Sequence, residues 1–174
     1  RVAAALTDCT APPGRMQRVP GSAGQPAVLV DFAHTAEALG KALQAARAHC
    51  RGRLWCVFGC GGNRDSGKRA PMGRAAVETA DHVIVTDDNP RDEDSRQIIA
   101  DILAGMDSRD TVQVIPDRAA AIQRAIHSAA SDDVILIAGK GHEQTQTVAG
   151  VSRPFSDTAV AAAALSGAQQ GQGA

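Results

Sequence analysis

The sequence predicts a doubly wound α/β domain, in which a mainly parallel sheet of about six strands carries helices on both faces. Short apolar runs without polar alternation recur along the chain, and each is followed by a segment with helical periodicity. Strands that are buried on both faces have this continuous apolar pattern, and a helix after each strand is the connection that parallel strands need. At 174 residues, the chain is long enough for one such domain with short tails.

The apolar runs and the periodic segments alternate in a regular order. The predicted strands are 27–32, 54–58, 83–85, 112–115 and 134–137. The predicted helices are 35–49, 68–80, 95–106, 117–130 and a last one to about Leu165, capped by Ser156 or Asp157. In the first helix Glu37 precedes Lys41 by one turn on the polar face, which is the favourable order for a helical ion pair.

The domain is expected to span residues 14–166. Residues 1–13 end in Ala-Pro-Pro and are interpreted as a linker or the tail of a preceding domain. Residues 167–174 are rich in Gly, Gln and Ala and are expected to be a disordered tail.

Composition excludes several classes of function. The formal net charge is −1 and no Lys/Arg-rich run occurs, so nucleic-acid binding has no electrostatic basis here. No segment approaches the ~20 consecutive apolar residues that cross a bilayer, and the first residues do not resemble a signal peptide. Cys56 and Cys60 could form half of a zinc site, but two ordinary thiols fit their spacing better. We therefore expect a cytoplasmic protein without a metal site of its own.

The polar segments 31–35, 59–68, 86–91 and 139–143 each follow a predicted strand. Ligands of parallel sheets bind beyond the carboxyl ends of the strands. These four segments are therefore expected to converge on one edge of the sheet.

The Gly-rich segment 59–69 resembles a P-loop in its glycine spacing and in Lys68. Arg69 stands where a Ser or Thr hydroxyl would hold Mg²⁺, and a guanidinium cannot ligate a cation. Two readings remain open: a tight turn with a solvated charge cluster, or a loop that binds an anion through backbone N–H groups, the helix N-terminus and Arg64.

The segment 87–91 is either a polar turn that ends a strand or a binding site for the head of an amino acid. Arg91 can grip a carboxylate with two hydrogen bonds, and Asp88 can accept from an ammonium. Asn89 can donate and accept, Pro90 makes the turn rigid, and Glu143 supplies another acceptor. Asp31 and His34 have two possible roles as well, a structural one beside the helix cap Thr35 or a contact with a nucleotide.

Taken in order, five segments resemble the Mur ligase family. These are Gly14-Arg15-Met16, residues 30–35, residues 58–65, Asp88-Asn89-Pro90-Arg91 and residues 138–143. The resemblance covers about residues 14–165, and Asp-Asn-Pro-Arg is similar to the signature of members that add diaminopimelate.

The resemblance implies the Rossmann-like C-terminal domain of a three-domain, ATP-dependent ligase of peptidoglycan synthesis, which serves cell wall biogenesis, cell shape and cell division. It implies that ATP and Mg²⁺ are held mainly by a central domain. An acyl phosphate forms on UDP-MurNAc-L-Ala-D-Glu, and meso-diaminopimelate attacks it. By itself this chain is expected to be inactive, with no catalytic residue and no metal ligand of its own.

Site residues are carried over from the resemblance by matching position. Those implied for meso-diaminopimelate are Arg64, Asp88, Asn89, Pro90, Arg91, Gly139 and Glu143. Those implied to approach ATP when the domains close are Arg15, Asp31 and His34.

The sequence leaves three alternatives to this assignment. The nearest is a lysine-adding or folylpolyglutamate-type ligase of the same superfamily, against which Arg91 argues. Another is a free-standing module that binds an amino acid without catalysis. A dinucleotide-binding dehydrogenase domain is disfavoured because the first strand leads to Asp-Phe-Ala-His and not to a Gly-x-Gly-x-x-Gly turn.

Overall fold

The computed structural model describes residues 12–167. The sheet strands are β1 (Gln17–Val19), β2 (Ala27–Asp31), β3 (Leu54–Phe58), β4 (His82–Val85), β5 (Val112–Val114) and β6 (Val134–Ala138). The helices are α1 (Ala36–Arg47), α2 (Arg69–Thr79), α3 (Ser95–Leu103), α4 (Arg118–Ser128) and α5 (Asp157–Gly167). A separate hairpin consists of β7 (Thr145–Val148) and β8 (Val151–Pro154).

The six-stranded sheet has the order β1-β2-β6-β3-β4-β5. All neighbouring strands are parallel except β1, which pairs antiparallel with β2 at one edge. Strand β6 lies in the centre, where Val134 is opposite both Ala27 of β2 and Leu54 of β3. The predicted mainly parallel, doubly wound α/β sheet is confirmed.

Two apolar cores flank the sheet. Helices α1, α2 and α3 cover one face, where Leu43, Met72 and Ile102 pack against alternate residues of the strands. Helices α4 and α5 cover the other face, with Ile122 and Leu165 among the buried side chains. Because both faces are covered, β3 and β6 are buried along their whole length, which explains their unbroken apolar sequences.

Local capping sets the helix starts. The side chains of Thr35, Asp94 and Asp117 each accept a hydrogen bond from a backbone N–H of the first turn of their helix, which satisfies a donor that the helix leaves unpaired. Ser156 Oγ accepts from Ala159 N at the start of α5, so it is the capping residue among the two predicted candidates. The predicted ion pair of Lys41 with Glu37 is present at 2.5 Å.

Three elements were missed by the sequence analysis, namely β1, β7 and β8. Strand β1 has only three residues, Gln-Arg-Val, and the exposed hairpin consists mostly of polar residues. Neither gives the apolar signal that identifies a buried strand. Helix α5 also continues to Gly167, two residues beyond its predicted end near Leu165. Residues 1–11 and 168–174, which hold most of both predicted tails, lie outside the described residues.

Within residues 12–167, no helix combines the length and the apolar character that a bilayer crossing requires.

Candidate functional site

A cavity of about 390 Å³ opens at the carboxyl edge of the sheet. Loops after β2, β3, β4 and β6 contribute its walls, so the predicted convergence of the polar segments is observed. Of the predicted site residues, seven line it: His34, Arg64, Asp88, Asn89, Arg91, Gly139 and Glu143. Pro90, Arg15 and Asp31 are not among its lining residues.

Arg64 and Arg91 flank the same glycine. A Cβ placed on Gly61 would lie 2.9 Å from Nη1 of Arg91 and 3.8 Å from Cγ of Arg64. Arg91 has a left-handed backbone, with φ of 56°, and its Nη1 donates to the carbonyl of Gly62 at 2.8 Å. Two guanidinium groups from separate loops therefore reach one cavity, where they provide donors for an anion such as a carboxylate.

Two glycines allow the loops to approach this closely. A Cβ on Gly62 would lie 1.9 Å from the carbonyl oxygen of Pro90. A Cβ on Gly139, whose φ is +114°, would lie 2.6 Å from Oδ2 of Asp88. Any side chain at either position would force the loops apart.

The carboxylate of Asp88 is the acceptor that the fold leaves open. Its side chain is buried, with 9% exposure, yet it accepts no hydrogen bond from another described residue. Burial raises the pKa of this carboxyl, and the charges of Arg118 and Lys140 oppose that rise. A desolvated carboxylate without a donor is suited to receive an ammonium group.

Asn89 and Glu143, in contrast, are already bonded within the protein. Asn89 Nδ2 donates to Glu143 Oε2 at 2.9 Å, and Asn89 Oδ1 accepts from Lys140 Nζ at 3.2 Å and from Thr147 N at 2.9 Å. Lys140 Nζ also donates to Glu143 Oε2, at 2.9 Å. Burial raises the pKa of the Glu143 carboxyl, but the hydrogen bonds from Lys140 and Asn89 outweigh it and hold the pKa below its usual range. Asn89 thus connects three loops, and Glu143 keeps only Oε1 for a ligand.

Three backbone amides of the Gly-rich loop are already bonded within the protein. Gly62 N donates to Asn89 O, Asn63 N to Glu93 Oε2 and Gly67 N to Asp65 Oδ1. The reading in which this loop binds an anion through its N–H groups is therefore wrong for these three amides. Arg64 remains as the donor that the loop offers to the cavity.

Arg15 and His34 gather around Phe32 at the mouth of the cavity. Arg15 Cζ lies 5.6 Å from the Phe32 ring centroid, and the His34 ring is 4.7 Å from it, edge-on. Asp31 instead accepts hydrogen bonds from Met16 N and Ala33 N at 2.8 and 2.7 Å. The structural reading of Asp31 is thus supported, whereas Arg15 and His34 stay exposed on the surface.

The described residues include no group of three or more His, Cys, Asp or Glu side chains arranged to hold a metal. Burial raises the pKa of both Cys56 and Cys60 to about 12. These thiols belong to the apolar core, as their position on and after a buried strand suggested.

Several residues of the site were not among the predicted site residues. Phe32 and Lys68 line the cavity, and Lys68 Nζ donates to the carbonyl of His34 at 2.9 Å. Lys140 is completely buried behind Glu143. The glycines on both sides of Lys140 gave a signal of close packing, but a lysine in a loop is normally solvated.

Comparison with known proteins identifies the family of this fold. The family model described as Mur ligase, glutamate ligase domain, matches residues 14–141. The chain belongs to the Mur ligase family.

Relatives within the Mur ligase family are close in sequence. The UDP-N-acetylmuramoyl-L-alanyl-D-glutamate–2,6-diaminopimelate ligase of Xylella fastidiosa is 56% identical over 160 residues, which are 92% of this chain and 32% of the relative. The ligase of the same name from Xanthomonas campestris is 58% identical over 152 residues, covering 87% of this chain and 31% of the relative. The chain therefore spans about a third of the length of these relatives.

Solved structures agree with the fold. A structure of UDP-N-acetylmuramoyl-L-alanyl-D-glutamate–2,6-diaminopimelate ligase matches with a TM-score of 0.85 and 41% identity, over 92% of this chain and 33% of that one. UDP-N-acetylmuramate-alanine ligase from Thermotoga maritima matches with a TM-score of 0.66 and 18% identity, over 98% of this chain and 33% of that one. At that identity the second match supports the Rossmann-like Mur ligase fold alone.

Proposed function

We propose that this chain is the C-terminal, amino-acid-binding domain, residues 14–166, of an ATP-dependent ligase that adds meso-diaminopimelate to UDP-MurNAc-L-Ala-D-Glu. The observation that carries the proposal is the cavity that is lined by Arg64, by Arg91 and by the buried carboxylate of Asp88. The relatives named for this reaction support it at 56% identity or more.

The charges of the cavity complement one end of diaminopimelate. Its carboxylate lies between Arg64 and Arg91, and its ammonium is taken by Asp88 and by the free Oε1 of Glu143. Gly139 lets the backbone approach the ligand, and Pro90 and Asn89 hold the loop in place. The other end of the molecule, which carries the reacting amine, then projects from the cavity.

Arg91 accounts for discrimination against lysine. Lysine lacks the carboxylate at its side-chain end, so its binding leaves the guanidinium groups without an anionic partner in a partly desolvated site. A site built to bond a polar group rejects an analogue without that group by a large factor, because its own polar atoms stay unpaired.

This domain contributes position and not chemistry to the reaction. The amine nitrogen attacks the acyl carbon of the activated precursor, the new C–N bond forms, and the bond from carbon to the phosphate oxygen breaks as the amine loses a proton. Holding the amine in a fixed direction supplies much of the rate in such a step.

The described residues do not fit a complete site for ATP and Mg²⁺. Arg69 occupies the position of the hydroxyl residue of a P-loop, and it is buried in ion pairs with Glu93 and Asp101. We therefore assign ATP and Mg²⁺ to the remainder of the ligase, and propose that Arg15 and His34 face the nucleotide across a domain interface, with Asp31 bracing their loop.

A nucleotide substrate made inside the cell places the ligase in the cytoplasm, and we expect neither nucleic acid nor membrane as a partner.

The test is the amino-acid dependence of phosphate release by the full-length ligase. With ATP and UDP-MurNAc-L-Ala-D-Glu present, meso-diaminopimelate is expected to support turnover, and lysine and glutamate at equal concentration are not. Preference for lysine or glutamate would overturn the proposal in favour of a lysine-adding or folylpolyglutamate-type ligase. Calorimetry of the isolated chain with the same amino acids then distinguishes an independent binding module.

A further inference from the structure

Arg69 and Glu93 form an ion pair behind the cavity, outside its lining. Arg69 Nη1 and Nη2 donate to the two carboxylate oxygens of Glu93 at 2.6 and 2.7 Å. Glu93 Oε2 also accepts from the backbone N–H of Asn63 at 2.9 Å. The pair thus ties helix α2, the loop after β3 and the loop after β4 to one another.

This tie lies next to both guanidinium groups that face the cavity. Asn63 immediately precedes Arg64 and has a left-handed φ of 51°, a conformation that Asn adopts more readily than most residues and that surrounding hydrogen bonds stabilise. Glu93 follows Arg91 by two residues, and its own N–H donates to Pro90 O at 3.1 Å. Glu93 therefore fixes the residue before Arg64 and, through its own loop, the residue before Arg91.

Arg69 is buried to a degree that stability alone does not explain. Its side chain is 1% exposed, and its Nε is a buried donor without an acceptor in the described part of the chain. An apolar side chain of similar volume often stabilises a fold as well as a buried ion pair does. What an apolar side chain cannot do is orient the Glu93 carboxylate toward the amide of Asn63.

The two guanidinium groups at the cavity need such an orientation. Arg64 and Arg91 carry like charges beside Gly61, and their repulsion favours a wider separation until an anion binds. Binding is tighter when donors are held in place beforehand, because less ordering has to accompany the ligand.

We propose that Arg69 and Glu93 are positioning residues that set the spacing of Arg64 and Arg91, and so determine recognition of the diaminopimelate carboxylate. The inference rests on the proposed function of the cavity. Neither residue touches the ligand. Both act through the backbone at Asn63 and the loop of Arg91.

The structure offers a matched control for this proposal. Arg69 Nη1 also donates to Asp101 Oδ2 at 2.8 Å, and Asp101 lies on α3, away from both loops. Glu93→Gln removes the charge that orients the loop, and one amide cannot accept from both Arg69 and Asn63 N in the same way. Asp101→Asn removes the charge of a second carboxylate partner of the same guanidinium, and Asp101 lies on neither loop.

The experiment measures steady-state kinetics of the full-length ligase with Glu93→Gln and with Asp101→Asn. For Glu93→Gln we expect the KM for meso-diaminopimelate to rise about ten-fold or more, since small misplacements of binding groups have effects of this order. The KM values for ATP and for UDP-MurNAc-L-Ala-D-Glu are expected to change by no more than about two-fold, because the substitution affects only the binding of the amino acid. Asp101→Asn is expected to leave all three KM values unchanged.

Each other outcome contradicts a specific claim. Equal changes in both variants, no change in either, or a parallel rise of all three KM values in Glu93→Gln would overturn the positioning role. Arg69→Gln in combination with Glu93→Gln should add little to the KM of the single variant, because both substitutions break one tie; should Arg69→Gln not fold, the two other variants still decide. Failure of the proposed function is distinct, because the unmodified ligase would then not use meso-diaminopimelate.

Discussion

Lys140 Nζ lies 2.9 Å from Glu143 Oε2, and the lysine side chain is fully buried while the glutamate is 37% exposed. The cation therefore faces the interior and the carboxylate faces the cavity. Asn89 Oδ1 accepts from the same Nζ at 3.2 Å. The buried charge of Lys140 thus favours the ionised form of Glu143.

We expect Lys140→Met to raise the pKa of Glu143 and of Asp88, since the charge of Lys140 lowers both. An acid with a raised pKa takes up a proton at a higher pH and then cannot accept from an ammonium. The affinity for meso-diaminopimelate should therefore begin to fall at a higher pH than in the unmodified protein as the solution is acidified. Calorimetric titrations of the full-length ligase between neutral and mildly acidic pH measure this shift.

Lys41→Met is the matched control, because Lys41 is an exposed lysine whose ion pair with Glu37 is remote from the cavity. Its pH profile should coincide with that of the unmodified protein. A Lys140→Met profile that also coincides would show that Lys140 does not control the ionisation of the site.

Arg91→Ala tests recognition of the carboxylate. The substitution removes a guanidinium that is held at the cavity by Gly62 O. Its charged hydrogen bond to the ligand carboxylate is then lost, and the loss of such a bond costs about 1.5–3 kcal/mol. The KM for meso-diaminopimelate should therefore rise by roughly 10- to 100-fold, with a far smaller effect on the KM for ATP. Steady-state kinetics of the full-length ligase check both values, and equal effects would count against the assignment of Arg91.

The position of the site at the carboxyl edge of the sheet was predictable from sequence, because it depends on which polar segments follow the buried strands. Apolar runs such as 54–58 and 134–137 are long enough to identify buried strands, and the polar segments that follow them must then meet. Arg64 and Arg91 follow from this rule. The assignment of individual ligand contacts to them stays a prediction.

The hydrogen-bonding state of the site was not predictable in the same way. Asn89 is bonded to Lys140 and to Glu143 across more than 50 residues of sequence, and Glu143 is bonded to Lys140 across three. Whether a lysine turns inward depends on partners that only the tertiary structure supplies. The hairpin that bonds Asn89 through Thr147 N was missed for a related reason, since its polar, exposed strands give no apolar signal.

Asp88→Asn is expected to stabilise the domain while it weakens binding. Burial raises the pKa of Asp88 in the folded state, so the folded state holds its proton more tightly than the unfolded state does. Protonation of Asp88 therefore raises the free energy of unfolding at low pH relative to neutral pH. As pH rises through the unfolded and then the folded pKa this gain is lost, and at neutral pH the buried charge destabilises the folded state. The neutral amide removes that penalty.

Thermal unfolding at neutral pH should then show a higher Tm for Asp88→Asn, by roughly 2–4 °C for each kcal/mol recovered in a domain of this size. The gain should shrink in acid, where Asp88 is itself protonated. Calorimetry with meso-diaminopimelate should show weaker binding in the same variant. A lower Tm at neutral pH would mean that the Asp88 carboxylate has a stabilising partner.

The ion pair of Arg118 with Asp157 is expected to stabilise the fold. Both side chains are 0% exposed, and two hydrogen bonds of 2.7 and 2.8 Å join them between the starts of α4 and α5. Asp157→Ala leaves a buried guanidinium with only the carbonyls of Ala138 and Asp87 as acceptors. Removing one partner of such a pair costs about 3–5 kcal/mol, and urea unfolding followed by circular dichroism measures it.

Glu37→Ala, which breaks an ion pair on the surface, should leave the unfolding midpoint unchanged because exposed pairs contribute little. Similar midpoints for the two variants would show that the buried pair contributes no more to the stability of the fold than the surface pair does.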